Sequence, residues 1–468
     1  MQSSTHSDTQ KSQSRISKMG VDLINGPVDS SLRKFAIPLA FSFIVNMLYS
    51  WIDTYFVSRL GAAAIAAIGV SEQLGFLIFN FLSGFAIGTG IIVARRIGEG
   101  NKTEASYTAT QGIVAMLVLS TILACILALL LPPTLHAMGL DKDPEVYRYT
   151  EMYLYALLFG VPGNFITFQI NSIIRSSGNS VYPMSILLLT TIINAILAPI
   201  LIFGWGFIPA LGMKGAGFAT ASAQIIGGII SLIMIISGKA GLSLLLDKFR
   251  FDFPLIIRII KQGFWSSLQM FSVSIGRIAL FKFAANFNPR VTVAAYTLGL
   301  KVDLFAFMSV FALGIAVETA TGQNLGARQI KRIFQFHASA VKQLTILLGF
   351  LAILSFFFGE YFARIYTSDP AIIQETVQYL HIACFGYIFF AIGFVTVRVI
   401  SGAGATARSM AIVFTSLVAV QVPMAFILSR YTPLQQNGIW IGVVTSYIAL
   451  TAIAYHQLRK RTWLAVNI

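Results

Sequence analysis

Twelve runs of roughly 20 apolar residues follow one another along this chain, and they leave few folds open to it. They lie near 35–57, 66–92, 108–131, 152–172, 184–204, 215–238, 258–287, 291–318, 343–363, 379–399, 409–429 and 438–457. Each is long enough to cross about 30 Å of hydrocarbon as a helix. A transmembrane barrel would need short segments of alternating polarity, and these runs are too long and too uniformly apolar. Composition agrees: 56% of residues are hydrophobic, 11% are charged, and mean hydropathy is +0.77, outside the soluble range.

The twelve runs are six, twice. Ala66-Ala67 and Ile97-Gly98 match Ala294-Ala295 and Leu325-Gly326 at a spacing of 228. Phe85-Ala86-Ile87-Gly88 matches Phe311-Ala312-Leu313-Gly314 at 226, as Gly178 and Met184 match Gly404 and Met410. Halves that correspond in the same order are a tandem duplication. In a membrane protein, such parallel repeats are a transporter architecture, with the pathway expected between the halves. The sequence therefore predicts an all-α polytopic membrane protein, its twelve transmembrane helices forming two six-helix lobes related by a parallel repeat. We divide it into a flexible tail (1–30), an N-lobe (31–238), a linker (239–257) and a C-lobe (258–460).

A net charge of +15 raises the question of nucleic acid, and the placement of the basic residues answers it. With the N-terminus inside, 23 of the 33 Lys and Arg fall on the inner side, in loops or at span ends, seven on the outer side and three deeper within spans. That bias is the positive-inside rule, so a cell-membrane protein with both termini cytoplasmic is expected, and no nucleic-acid partner. The bilayer itself accounts for the charge.

The polar residues 1–30 lack the apolar core of a signal peptide. The linker mixes Lys239, Asp247, Lys248, Arg250, Asp252 and Arg258 with apolar residues, as an amphipathic surface segment would. Cys125 and Cys384 read as packing thiols in separate halves. His381, the one histidine within a span, reads as a packing or hydrogen-bonding residue. No phosphate loop, metal-spaced Cys/His pair or nucleophile elbow is present, so neither an enzyme nor a cofactor is expected.

Charges inside the membrane are expensive and mark function by default. Lys282, Glu318 and Glu72 lie near span ends, where snorkelling accounts for them. Asp53 has no basic residue within a turn on either side. Such a carboxyl changes its charge state as its exposure to water changes, which a proton-coupled carrier requires; a hydrogen-bonded packing role is the alternative. Its repeat counterpart is Leu280, so the acid is not duplicated. Counted along their helices, Asn194 and Thr220 fall at a depth similar to Asp53, and the three could share one cavity. In the second half, Arg277, Lys301 and Asp303 sit nearer the midplane of adjacent spans. They read either as a buried ion pair or triad joining those helices, or as a charged wall of a substrate cavity.

Three stretches carry a family resemblance: Ile52–Gly61 followed by Ala64–Gly69, Arg175–Asn179 with Asn194 to Pro199, and Gly322–Ala327. Together they resemble the multidrug and toxic compound extrusion (MATE) family over residues 30 to 460. The resemblance implies a monomeric antiporter in the inner membrane. It would export cationic or amphipathic small molecules against inward H⁺ or Na⁺ by rocking its lobes. By position, Asp53 matches the coupling acid of the first helix, and Asn194 and Thr220 match polar residues of the first-lobe cation site. Prokaryotic members read Asn-x-x-x-Asp-Pro in the fifth helix, whereas this chain has Ala198 before Pro199. Another branch places acids in helices seven and ten, and neither apolar run here contains one. Both departures favour H⁺ over Na⁺. A lipid or lipid-linked precursor flippase of the same superfamily is the alternative, kept open by Arg277 and Lys301.

Overall fold

A computed structural model describes residues 20–238, 241–245 and 249–466. Residues 1–19 of the expected tail, and Lys239, Asp247 and Lys248 of the expected linker, lie outside them. Twelve helices are long and apolar enough to span a membrane. In chain order they are α1 Val28–Ser58, α2 Ala62–Gly98, α3 Lys102–Ala137, α4 Pro144–Ser176, α5 Val181–Phe203, α6 Gly212–Ile236, α7 Phe253–Phe287, α8 Val291–Gly326, α9 Ile330–Tyr366, α10 Pro370–Gly402, α11 Thr406–Tyr431 and α12 Gln436–Lys460. A π-helical turn, Thr415–Val420, interrupts α11. Among the described residues the only β-pairing is one bridge, Trp205 to Ile208.

The duplication is visible in how helices begin. Asp143 caps α4 by accepting from the backbone N–H of Glu145 (3.1 Å) and Val146 (3.2 Å), with Pro144 at the first helical position. Asp369 and Pro370 do the same for α10, 226 positions later, with Asp369 accepting from Ala371 N–H at 2.9 Å.

By packing, the chain forms two units. One holds Ile37–Phe264 and the described residues up to Asp22; the other holds Leu23–Ala36 and the residues from Trp265 onward. In the second unit, Asn324 Nδ2 donates to Leu23 O at 3.0 Å and Arg332 Nη2 to Gly26 O at 2.5 Å. In the first, Thr110 Oγ1 accepts from Leu245 N–H at 3.1 Å and Gln111 Nε2 donates to Arg250 O at 2.5 Å. Asn324 thus gives the Gly322–Ala327 motif a structural task, holding the chain ahead of α1. Asn179, in the Arg175–Asn179 motif, accepts from Val181 N–H at 3.0 Å and turns the chain into α5.

Small residues set the helix spacing. A Cβ on Gly160 of α4 would lie 2.5 Å from Ala221 Cα of α6, and one on Gly163 would lie 2.7 Å from Ile225 Cα. Gly160→Val should force α4 and α6 apart and destabilise the protein by on the order of 1–3 kcal/mol. A thermal unfolding midpoint equal to that of the unsubstituted protein would contradict this packing account.

Two expectations need correction. Cys384 is buried, but Cys125 is exposed and so is not the buried packing thiol expected. Glu318 does not snorkel: it is buried and paired with Arg398, Nη1 to Oε2 at 3.0 Å, and accepts from Ser401 Oγ at 2.5 Å. Helix α10 begins well before its apolar run, so it includes a buried acid, Glu375, that the run left out. His381 stacks on Phe356 with ring centroids 4.4 Å apart, a packing contact.

Candidate ion-coupling site

Four helices of the first unit meet around Asp53. Helix α1 supplies Asp53 and, one turn earlier, Tyr49; α4 supplies Tyr153, α5 Asn194 and α6 Thr220. The close approach of α4 to α6 is what brings Tyr153 and Thr220 to one place. Gly217 of α6 sits against the Tyr153 backbone, where a Cβ would lie 2.6 Å from its carbonyl oxygen.

Asp53 is only 4% exposed. Tyr153 donates its hydroxyl to Asp53 Oδ2 at 2.9 Å. Asn194 Nδ2 donates to Thr220 Oγ1 at 3.2 Å, and both residues lie beside the carboxyl. The structure thus brings together Asp53, Asn194 and Thr220, the three residues the sequence placed at a common depth.

Three oxygens in this cluster have no hydrogen-bond partner although all are shielded from solvent: Asp53 Oδ1, Asn194 Oδ1 and the Tyr49 hydroxyl. Buried polar atoms are almost always partnered, so these three are places where a proton, a water or an ion can be held. Two of the three, Asp53 Oδ1 and Asn194 Oδ1, can only accept. They require a donor or a cation.

Ala198 decides what else is available. It is fully buried in an apolar cluster with Val57, Ala67, Ile202, Met213 and Ala219. The position that would complete a carboxylate cage is therefore filled by packing. Glu72 is the nearer second acid: Ser50 Oγ donates to its Oε1 at 2.8 Å, and its charge is felt at Asp53. Sequence reasoning assigned Glu72 to the interface and passed over Tyr49 and Tyr153. The signal for Tyr153 was the repeat, since Tyr379 stands 226 positions on. Beside the cluster, an apolar cleft of about 360 Å³ opens along α1, lined by Leu48, Trp51, Ile52, Tyr55, Phe56 and Ala195.

The second-half residues are arranged differently from the expected ion pair or triad. Asp303 of α8 is 4% exposed and accepts from two tyrosines of α10, Tyr379 at Oδ2 and Tyr387 at Oδ1, the latter at 2.7 Å. Arg277 and Lys301 are exposed and, among the described residues, make no ion pair; the guanidinium lies over the Phe307 ring at 5.9 Å and the ammonium over Tyr366 at 5.5 Å. Phenol hydroxyls satisfy the buried carboxyl, which frees both cations to reach outward.

The MatE family model matches this chain twice, over residues 38–200 and 266–427, once in each half. The chain is 26% identical over 431 residues to the probable multidrug resistance protein YoeA of Bacillus subtilis (strain 168), covering 91% of this chain and 92% of that protein. It is 28% identical over 433 residues to the probable multidrug resistance protein NorM of Oceanobacillus iheyensis, covering 89% and 94%. A relative from Shewanella oneidensis, 25% identical over 86% of this chain and 88% of its own length, is named a FAD transporter. Among solved structures, an outward-facing multidrug resistance MATE family transporter of the MOP superfamily superposes with TM-score 0.87 at 23% identity, covering 96% of this chain and 99% of that one.

Proposed function

We propose that this chain, which belongs to the MatE family of membrane transporters, is a secondary active antiporter that exports cationic or amphipathic compounds in exchange for inward H⁺. The multidrug resistance names of its relatives support drug-like substrates. The observation that carries the coupling is the orphaned pair of acceptors, Asp53 Oδ1 and Asn194 Oδ1, in a cluster shielded from solvent. A proton on Asp53 Oδ1 turns that unpartnered acceptor into a donor within the cluster, and removes a buried charge at the same moment. Sodium would need several oxygens to replace its hydration shell, and Ala198 contributes none.

In this reading the cycle alternates access of the Asp53 site. From outside, Asp53 takes a proton and the cluster closes around a neutral carboxyl held by Tyr153. Exposure to the inside releases the proton. Arg277 and Lys301, which motivated the flippase alternative, engage separate aromatic rings; we do not propose that function. The protein would act as a monomer in the inner membrane with both termini cytoplasmic, the orientation that puts most Lys and Arg inside.

The test is efflux of a panel of fluorescent organic cations, ethidium among them, in inverted vesicles carrying the full chain, under imposed proton or sodium gradients. Proton-driven movement of at least one is expected. If neither gradient moves any member of the panel, the antiport reading fails. Separately, tags at both ends should be cleavable only from the cytoplasmic face. A tag reached from outside would overturn the orientation.

A further inference from the structure

The second unit repeats the polar frame of the first but takes its acid from another helix. Tyr153 and Tyr379 stand 226 apart, and each donates its hydroxyl to a carboxylate that is 4% exposed. The acceptor in the second unit is Asp303 of α8, because the counterpart of Asp53 on α7 is Leu280, a core residue. The amide–hydroxyl pair recurs as well. Asn194 Nδ2 meets Thr220 Oγ1 at 3.2 Å, and Ser446 Oγ meets Gln421 Oε1 at 3.4 Å. Ser446 follows Thr220 by 226 and Gln421 follows Asn194 by 227. The π turn Thr415–Val420 directly before Gln421 accommodates that extra residue, since a π turn inserts one residue into a helix. Even the helix crossing repeats: Gly160 faces Ala221, and Gly386, 226 later, faces Tyr447.

The surroundings of Asp303 are built for it. Gly299, one turn earlier on α8, leaves the space that the Tyr379 ring fills. That ring is enclosed by Trp440 at 4.9 Å and Tyr296 at 5.7 Å between centroids. The titratable and charged groups facing Asp303 are few. They are Arg277 of α7, Tyr296 of α8, Tyr379 and Tyr387 of α10 and Tyr447 of α12, while Lys301, two residues before Asp303 on α8, is exposed and lies over Tyr366. Among the described residues no cation forms an ion pair with Asp303, so the anion is held by two hydroxyls, with the Arg277 charge acting on it from beyond ion-pair distance. Those hydroxyls stabilise the charged form while burial opposes it, and a site balanced in that way can exist in both. Tyr387 also has a second neighbour, the Ser355 hydroxyl of α9.

We infer that Asp303 is a second proton-binding centre of this transporter, reached through Tyr387. Its protonation is a relay: Tyr387 passes its hydroxyl proton to Asp303 Oδ1 as its own oxygen takes up the proton that enters, so one proton is gained and no other bond changes. The inference extends the antiport reading from one acid to two and rests on it for its purpose, though not for its test.

The test is infrared difference spectroscopy of the full-length protein in liposomes, with proton uptake counted across an acid jump. Asp303→Asn should lose one protonated-carboxyl band and one proton of uptake per protein, and Asp53→Asn should lose a different band. Tyr387→Phe should keep the Asp303 band and move its pH midpoint. An Asp303→Asn spectrum and uptake equal to those of the unsubstituted protein overturn the inference. So does an unmoved midpoint in Tyr387→Phe, which carries the test if Asp303→Asn does not fold. A band that appears in a protein showing no gradient-driven efflux of any cation of the panel refutes the antiport reading and leaves this site standing. Efflux without the band does the reverse.

Discussion

Asp53→Asn is expected to reduce gradient-driven efflux to the rate of passive leak while leaving the protein folded and in the membrane. The amide has the shape of the carboxyl and can still accept from Tyr153, so the 2.9 Å contact survives. It cannot gain or lose a proton. The orphaned Asn194 Oδ1 can also take a donor from the new amide, which locks the cluster in the state that a proton otherwise produces. The substituted protein should therefore unfold at the same or higher temperature. Transport in proteoliposomes at the unsubstituted rate would return Asp53 to a packing role.

The second large effect concerns stability. Glu318 and Arg398 join α8 to α10 as a buried pair, with side chains 10% and 3% exposed. Arg398 also lies over the rings of Phe394 at 4.8 Å and Phe311 at 5.7 Å. Glu318→Ala strands that guanidinium without a counter-charge, and loss of one partner of a buried pair costs about 3–5 kcal/mol. Replacing both by apolar residues removes the charge with its need, so Glu318→Leu with Arg398→Met should be more stable than Glu318→Ala alone. Thermal unfolding of purified protein measures this. A double variant weaker than the single one would show that the pair contributes more than mutual neutralisation.

Helix number and order were legible because hydrophobicity is written locally: a span needs only its own apolar run to be recognised. Ends were less so. Helix α10 begins at Pro370, where Asp369 caps it, ahead of its apolar run, and Glu375 was hidden in the second turn, which that run left out. Asp53 stood out as a lone acid among apolar residues. Asn194 and Thr220 could be placed beside it by depth, because helices rise uniformly. Tyr153 carries no charge to draw the eye among aromatics, and only its repeat partner Tyr379 signals it. The same blindness misled the reading of Asp303. Charge signs in sequence suggested Arg277 or Lys301 as partners, while the hydroxyls of Tyr379 and Tyr387 take that role in the fold. Glu318 and Arg398 are 80 positions apart, a separation at which only tertiary packing makes a pair.

The claim that a proton on Asp53 drives export is tested most directly by ethidium efflux from proteoliposomes in sodium-free buffer under an imposed pH gradient, with and without Asp53→Asn. The account predicts full activity without sodium and none in the substituted protein. Efflux that is absent there and returns on adding sodium would contradict it, and would mean that Tyr49, Asn194 and backbone oxygens complete a cation cage without a carboxylate at position 198.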